Sequence, residues 1–100
     1  MRGHCGVRVR TGETLSTWIS TLASVLRSDP VEKKPLYHFL PGTTTYSVGM
    51  AGCNLDCACC QNWGLSNDRA LKSLREPVTP ATIAEGAKRA GAASVSFTYN

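Results

Sequence analysis

The sequence predicts an α/β fold built around one βαβ unit, preceded by an irregular or β-rich amino-terminal segment. Residues 43–50 form a run rich in β-branched and aromatic side chains, and residues 94–99 alternate apolar and polar side chains. Between them, residues 80–90 repeat apolar side chains at helical spacing. Two strands joined by a helix in this order are expected to lie parallel in one sheet.

Residues 1–42 are predicted to form an amino-terminal extension, and residues 43–100 to begin the core domain. The first 13 residues mix arginines with glycines, a composition that favours a loop. Residues 14–26 repeat some apolar side chains at helical spacing, but β-branched residues and tryptophan dominate the segment. These residue types favour strands.

The connection from Asp29 to Pro35 contains two prolines, which lack a backbone donor. We therefore expect an irregular crossing of the surface, with Lys33 and Lys34 facing solvent. The apolar side chains of residues 36–40 are expected to anchor this connection. The dipeptide Pro41–Gly42 then predicts a turn into the first core strand.

The helix of the βαβ unit has recognisable ends in the sequence. Thr79 is a suitable N-cap and Pro80 suits the first helical position. Gly91 is expected to end the helix. An apolar stripe for packing on the sheet is formed by Ile83, Ala84, Ala87 and Ala90.

The charge and hydropathy of the chain argue against several classes of partner. Eleven basic residues against seven acidic ones give a net charge of +4, but they are scattered, whereas a nucleic-acid surface needs a denser stripe. No segment approaches the roughly 20 apolar residues that span a bilayer, and the amino terminus lacks the apolar core of a signal peptide. We expect a cytoplasmic protein that binds neither nucleic acid nor membrane.

Four of the five cysteines lie close together, directly after the first predicted core strand. In a reducing compartment they predict metal binding or catalysis rather than a disulfide framework. Cys53, Cys57 and Cys60 follow the spacing C-x3-C-x2-C, and three thiolates can hold a 4Fe-4S cluster while leaving one iron for another ligand. Gly52 is expected to end the strand, so the loop lies where α/β enzymes hold their sites.

The loop from Gly52 to Trp63 resembles the cluster loop of the radical S-adenosylmethionine (SAM) enzymes. Within that superfamily, the segment from Asp29 to Gly42 together with Cys60-Gln61-Asn62-Trp63 resembles the radical SAM member of the AmmeMemoRadiSam system. Such proteins are often labelled pyruvate formate-lyase activating enzyme-like. The resemblance implies a partial (β/α) barrel, of which this chain would be an amino-terminal fragment that is inactive alone.

The resemblance also implies the cofactors and their contacts. Three cysteines would hold the 4Fe-4S cluster, which cleaves SAM reductively to a 5′-deoxyadenosyl radical with electrons from a flavodoxin or ferredoxin. The residues expected to meet the amino group of SAM are Thr98, Tyr99 and Asn100. Cys59 stands where the superfamily usually carries an aromatic residue against the adenine, and Asp56 stands where relatives often carry a basic residue. The catalytic residues and the substrate are not implied.

Other functions fit the same cysteines. A glycyl-radical-enzyme activating enzyme would use the same cluster, whereas a non-catalytic module would bind zinc or a fully ligated iron-sulfur cluster. A zinc module would draw its ligands from Cys5, His38, Cys53, Cys57 and Cys60. In simpler interpretations, Cys5 is a buried small residue, His38 is a packed histidine and Cys59 is a free thiol. The identity of the metal discriminates between these functions.

Overall fold

The computed structural model describes residues 1–17, 23–68 and 77–99, with only the backbone of Tyr99. Its elements are β1 (Arg8–Thr11), β2 (Thr14–Thr17), β3 (Val25–Pro30), a 3₁₀ turn (Val31–Lys33), β4 (Thr44–Gly49), α1 (Trp63–Ser66), α2 (Pro80–Arg89) and β5 (Ser94–Tyr99). The described residues therefore form a mixed α/β protein with two sheets and few helices. Neither α-helix in this part of the chain has the length and apolar character needed to cross a bilayer.

The predicted βαβ unit is confirmed. β4 pairs in parallel with β5, and α2 lies between them in the chain. β3 pairs antiparallel with the other side of β4, so the sheet has the order β3-β4-β5 and the described strands leave it open. β3 thus shares a sheet with the core strands, and the domain division after residue 42 stays a prediction.

The ends of α2 follow from its capping residues. Thr79 Oγ1 accepts a hydrogen bond from Thr82 N at 3.1 Å, and Pro80 occupies the first turn. Gly91 follows the C-cap residue Ala90 with a φ of 63°, a left-handed conformation that glycine adopts at low cost. Both predicted helix ends are therefore confirmed.

One side of the sheet packs against α2. Ala87 of the predicted apolar stripe is buried and Ile83 is half-buried, whereas Ala84 is exposed. Gly86 lies so close to Tyr46 of β4 that a Cβ atom there would stand 2.7 Å from the tyrosine hydroxyl oxygen. The glycine therefore allows the helix to approach the aromatic ring directly.

The other side of the sheet is polar. Because side chains alternate along a strand, Thr45 and Ser47 lie on the side opposite Tyr46, and both are fully buried. Ser47 Oγ donates to Asp29 Oδ2 at 2.7 Å, and Thr45 Oγ1 lies 2.7 Å from Ser96 Oγ. These hydrogen bonds satisfy hydroxyl groups that would otherwise be costly to bury.

Residues 8–17 form a β-hairpin, so the loop predicted for residues 1–13 was wrong from Arg8 onward, whereas residues 1–7 lie outside the described strands. The hairpin agrees with the expectation of an irregular or β-rich amino-terminal segment. β1 pairs antiparallel with β2, and the turn between them includes Gly12 with a φ of 60°. The two strands consist mostly of exposed arginine, threonine and serine residues, so no apolar alternation marks them in the sequence. The expectation of strands over residues 14–26 is confirmed by β2 and the start of β3. Residues 18–22, which include Trp18, lie outside the described residues.

The connection after β3 is a 3₁₀ turn rather than an irregular surface crossing. Lys34 was predicted to face solvent but is only 5% exposed, and Val31 is also buried. The Lys34 Nζ atom lies 3.1 Å from Asp29 Oδ2, and this buried carboxylate compensates the ammonium for its loss of water. Lys33 is exposed as predicted, although it also contacts Asp29 at 3.4 Å.

The apolar residues 36–40 do not anchor this connection. Tyr37 is 90% exposed, and His38, which was predicted to be packed, is exposed as well. His38 (φ 64°) and Leu40 (φ 44°) have left-handed backbone conformations. The segment around them consists of consecutive turns and bends. Gly42 (φ 75°) completes the predicted turn before β4.

Candidate functional site

The cysteine loop (residues 52–63) begins just beyond the carboxyl end of β4. The helix that follows it, α1, packs back against the first residues of the loop. Gly52 N donates to Leu65 O at 3.0 Å, and Cys53 N donates to Ser66 O at 3.1 Å. These two backbone hydrogen bonds hold α1 against the first residues of the loop. The predicted position of the loop, directly beyond the strand, is confirmed.

Gly52 connects the loop to the amino-terminal segment. Its φ is 88°, and a Cβ atom at this position would overlap the carbonyl oxygen of Cys5 and lie 3.0 Å from Val7 Cγ1. Cys5 and Val7 are both buried, as was predicted for Cys5. The backbone hydrogen bond from Val7 lowers the pKa of the Cys5 thiol, and burial opposes this shift. The amino-terminal segment therefore packs directly against the start of the cysteine loop.

Two of the predicted cluster ligands line one cavity. Cys53 and Cys60 border a space of about 110 Å³, together with Thr98 of β5. Leu55 N donates to Cys53 Sγ at 3.5 Å, and Cys60 Sγ lies 3.4 Å from Ser66 Oγ. The remaining lining residues are Met50, Asn62, Leu65 and Ser66. The parallel pairing of β4 and β5 thus brings a predicted SAM contact beside two predicted cluster ligands.

The third predicted ligand, Cys57, is exposed. Cys60 N donates to Cys57 O at 3.1 Å, so the two cysteines flank one tight turn. Cys59 in the same turn is also exposed, and all five cysteines are free thiols. Within residues 1–17, 23–68 and 77–99, no group of three or more His, Cys, Asp or Glu side chains is close enough to hold a metal ion. The side chain of Tyr99 and the whole of Asn100 lie outside the described residues.

Cys53, Cys57 and Cys60 match the type and number of protein ligands of a 4Fe-4S cluster that has one open iron. Thiolates are the ligands that such clusters require, and three of them occur here on one short loop. Cys53 and Cys60 line the same cavity, and Cys57 lies one tight turn away from Cys60. The fold therefore places two of the three cysteines on the wall of one cavity and the third in the adjoining turn.

A polar contact at the rim of the loop explains the position of Trp63. The Trp63 side chain is 60% exposed. In the Asn67 amide orientation that satisfies both neighbours, the amide oxygen accepts from Trp63 Nε1 at 3.1 Å. The amide nitrogen then donates to Asp56 Oδ1 at 3.0 Å. The indole N–H thus finds its partner at the surface rather than in the core.

The sequence interpretation missed the buried charges near this site. Lys34 Nζ lies 3.3 Å from Thr98 Oγ1, so the Asp29–Lys34 pair reaches a residue that lines the cavity. The two contacting residues stand 64 positions apart, and no local pattern predicts such a contact. A weaker signal exists, because hydroxyl residues at alternate positions of β4 and β5 indicate a polar side of the sheet.

The chain is similar to the uncharacterized protein MJ0808 of Methanocaldococcus jannaschii, with 42% identity over 98 residues. The match covers 98% of this chain but 29% of the relative, so the chain spans less than a third of the relative's length. No family model matches the chain, and no solved structure matches it. The matched relative is therefore much longer than this chain, and its name states no activity.

Proposed function

We propose that this chain carries the cluster-binding part of a radical SAM enzyme, with Cys53, Cys57 and Cys60 as the ligands of a 4Fe-4S cluster. The observation that carries the proposal is the C-x3-C-x2-C loop at the carboxyl end of β4, where a cavity joins Cys53 and Cys60 to Thr98. Three thiolates leave one iron of a four-iron cluster open to a ligand outside the protein. When bound, the cluster would supply the electron that cleaves SAM, while the protein supplies position and electrostatics.

The fold supports this proposal in its coarse features. β4, α2 and β5 form a parallel βαβ unit, which is the repeating unit of (β/α) barrels. The side of the sheet opposite α2 is polar, with buried Thr45, Ser47 and Asp29. In a partial barrel this side would face the interior, where SAM requires hydrogen-bonding partners. We propose such a barrel for the complete enzyme.

The residues of the chain would have distinct roles in this enzyme. The three cysteines would bind the cluster, and Thr98, Tyr99 and Asn100 would contact the amino group of SAM. Cys59 would lie near the adenine, where it offers less apolar surface than an aromatic ring. The hydrogen bonds that tie Gly52 and Cys53 to α1 would keep the loop in register with the strand end.

The proposed enzyme is cytoplasmic and takes electrons from a flavodoxin or ferredoxin. Its relatives would be the radical SAM proteins of the AmmeMemoRadiSam system, which the segment from Asp29 to Gly42 resembles. Since the chain spans 29% of its relative, we propose that substrate contacts lie in further parts of a longer parent enzyme.

Anaerobic incubation with dithionite and SAM tests the proposed function. The iron-loaded parent enzyme is expected to release methionine and 5′-deoxyadenosine, measured by chromatography, whereas the 100-residue chain should release them slowly. The chain supplies the cysteine loop and two parallel strands, and incompletely positioned reactants lose much of the proximity advantage. No release by the iron-loaded parent would exclude the radical SAM function. Rapid release by the chain alone would contradict the need for further contacts.

A further inference from the structure

The amino-terminal hairpin gathers positive charge. Arg2, Arg8 and Arg10 lie within the first 12 residues, a stretch without Asp or Glu, and all three are exposed. Arg8 and Arg10 belong to β1, and an isolated β-bridge places Arg2 beside the same strand. Glu13, in the turn after β1, is the hairpin's one carboxylate. The fold therefore brings three of the chain's 11 basic residues together around one strand.

The two sides of the hairpin differ in character. Because side chains alternate along a strand, Arg8 and Arg10 share one side of β1 and Val9 lies on the other. Val9 is half-buried, so the arginines lie on the outer side. Leu15 of β2 pairs directly with Arg10, which puts its side chain on the same outer side, and it is 69% exposed. Arg8, Arg10 and Leu15 therefore form a basic surface with an exposed apolar side chain, here called the hairpin surface.

The hairpin adjoins the start of the cysteine loop. Gly52 packs against the carbonyl oxygen of Cys5 and against Val7, which immediately precedes β1. The backbone of Val7 contributes most to lowering the pKa of the Cys5 thiol, and the Arg8 guanidinium adds to this effect because it lies beside the thiol. Gly52 is followed directly by Cys53, a proposed cluster ligand. A protein bound to the hairpin surface would therefore touch the segment that packs against the cysteine loop.

We propose that the hairpin surface is the docking site for an acidic electron-donor protein. The inference rests on the proposed function, because reductive cleavage of SAM consumes one electron that must reach the cluster from outside. In this step the donor is oxidised by one electron, the cluster is reduced by one, and no bond forms between the two proteins.

The size and charge of the hairpin surface suit such a donor. Electron-transfer encounters use small interfaces, and complementary charge directs them mainly by raising the association rate. Two exposed arginines beside one leucine supply a small basic surface of this kind. The same pair is too sparse for nucleic acid, which requires a denser basic stripe. Acidic residues on the donor would complete the charge pairing.

Binding to the metal-free chain tests the docking site without requiring a cluster. An acidic flavodoxin and an acidic ferredoxin are the probes, and binding of at least one is expected to weaken as the ionic strength rises. The double variant Arg8→Glu/Arg10→Glu should bind about tenfold more weakly. Arg8→Gln/Arg10→Gln removes the charges without reversing them and should weaken binding by a smaller factor. Circular dichroism should show both variants folded, because the replaced side chains are exposed.

Lys88→Glu/Arg89→Glu provides the matched control, since it makes the same change in net charge. Both residues are exposed at the end of α2, which leads into the start of β5. That end of the parallel sheet lies opposite the cysteine loop. Donor binding should therefore stay within about twofold of the unmutated chain. Binding of neither donor, or an equal loss in this control, would overturn the proposal. Arginine-dependent binding of single-stranded RNA or anionic vesicles, without donor binding, would overturn it as well.

Reduction of the anaerobically reconstituted chain separates the docking site from the function on which it rests. Reduced flavodoxin or ferredoxin should reduce the cluster of Arg8→Glu/Arg10→Glu about tenfold more slowly than that of the unmutated chain. Dithionite, which needs no docking, should reduce both at the same rate. Equal rates with the protein donor would overturn the docking site although the cluster forms. If the unmutated chain formed no cluster, the proposed function would fail, and arginine-dependent donor binding to the metal-free chain would still support the docking site.

Discussion

Replacing Cys53, Cys57 or Cys60 with serine is expected to reduce the iron content of the anaerobically reconstituted chain from about four atoms to below about one. Each substitution removes one of three thiolates, and a serine hydroxyl is a harder and less acidic ligand that suits iron-sulfur clusters poorly. Iron and acid-labile sulfide analyses measure the loss. The characteristic visible absorbance should disappear in parallel.

The other two cysteines provide matched controls for this experiment. Cys59 lies in the same exposed turn as Cys57, and Cys5 is buried outside the loop. Serine substitution at either position should leave most of the iron bound. An equal loss of iron from Cys59→Ser would mean that the ligand set is misassigned. Binding of zinc and no iron by the unmutated chain, with loss of that zinc in the Cys53, Cys57 and Cys60 variants, would instead favour the non-catalytic zinc module.

Gly52→Ala is expected to destabilise the chain by about 2–6 kcal/mol, which combines backbone strain and overpacking of about 1–3 kcal/mol each. The residue has a φ of 88°, and a Cβ atom would overlap the carbonyl oxygen of Cys5. That oxygen belongs to the backbone of a buried residue, so it cannot move aside as the end of a long side chain would. Urea unfolding monitored by circular dichroism measures the change in the free energy of unfolding.

Gly12→Ala provides the matched control, since it tests the left-handed backbone without the steric contact. Gly12 has a φ of 60°, and nothing lies within 4 Å of the position that its Cβ would occupy. Its substitution should cost only about 1–2 kcal/mol. Equal destabilisation by the two substitutions would contradict the close packing of the amino-terminal segment against the start of the cysteine loop.

The βαβ unit could be predicted because its signals are local. The cap at Thr79 and the left-handed Gly91 mark the helix within a few residues of its ends. β-Branched and aromatic residues mark the first strand, and alternation marks the second. The amino-terminal hairpin carries no such signal, because its strands expose polar residues on both sides of the turn at Gly12. Residues 36–40 misled the prediction for the opposite reason, since their apolar character suggests burial, whereas the segment forms turns whose side chains are exposed.

Only the cysteine loop of the candidate site could be predicted from the sequence, because its residues lie close together in the chain. The cysteine spacing indicates the ligand set, and strand order explains why Thr98 shares a cavity with Cys53 and Cys60. Lys34 could not be assigned to the site from its sequence context, because a lysine in a proline-flanked polar segment is usually solvated. Its burial depends on Asp29 in the preceding strand and on Thr98 far along the chain.

The most direct test of the central claim is electron paramagnetic resonance of the reduced, anaerobically reconstituted chain before and after addition of SAM. The claim is that Cys53, Cys57 and Cys60 hold a 4Fe-4S cluster with one iron open to SAM. The spectrum should show a reduced four-iron cluster, and SAM should change it because the open iron gains new ligands. A four-iron spectrum that SAM leaves unchanged, or a chain that binds zinc and no iron, would contradict the claim.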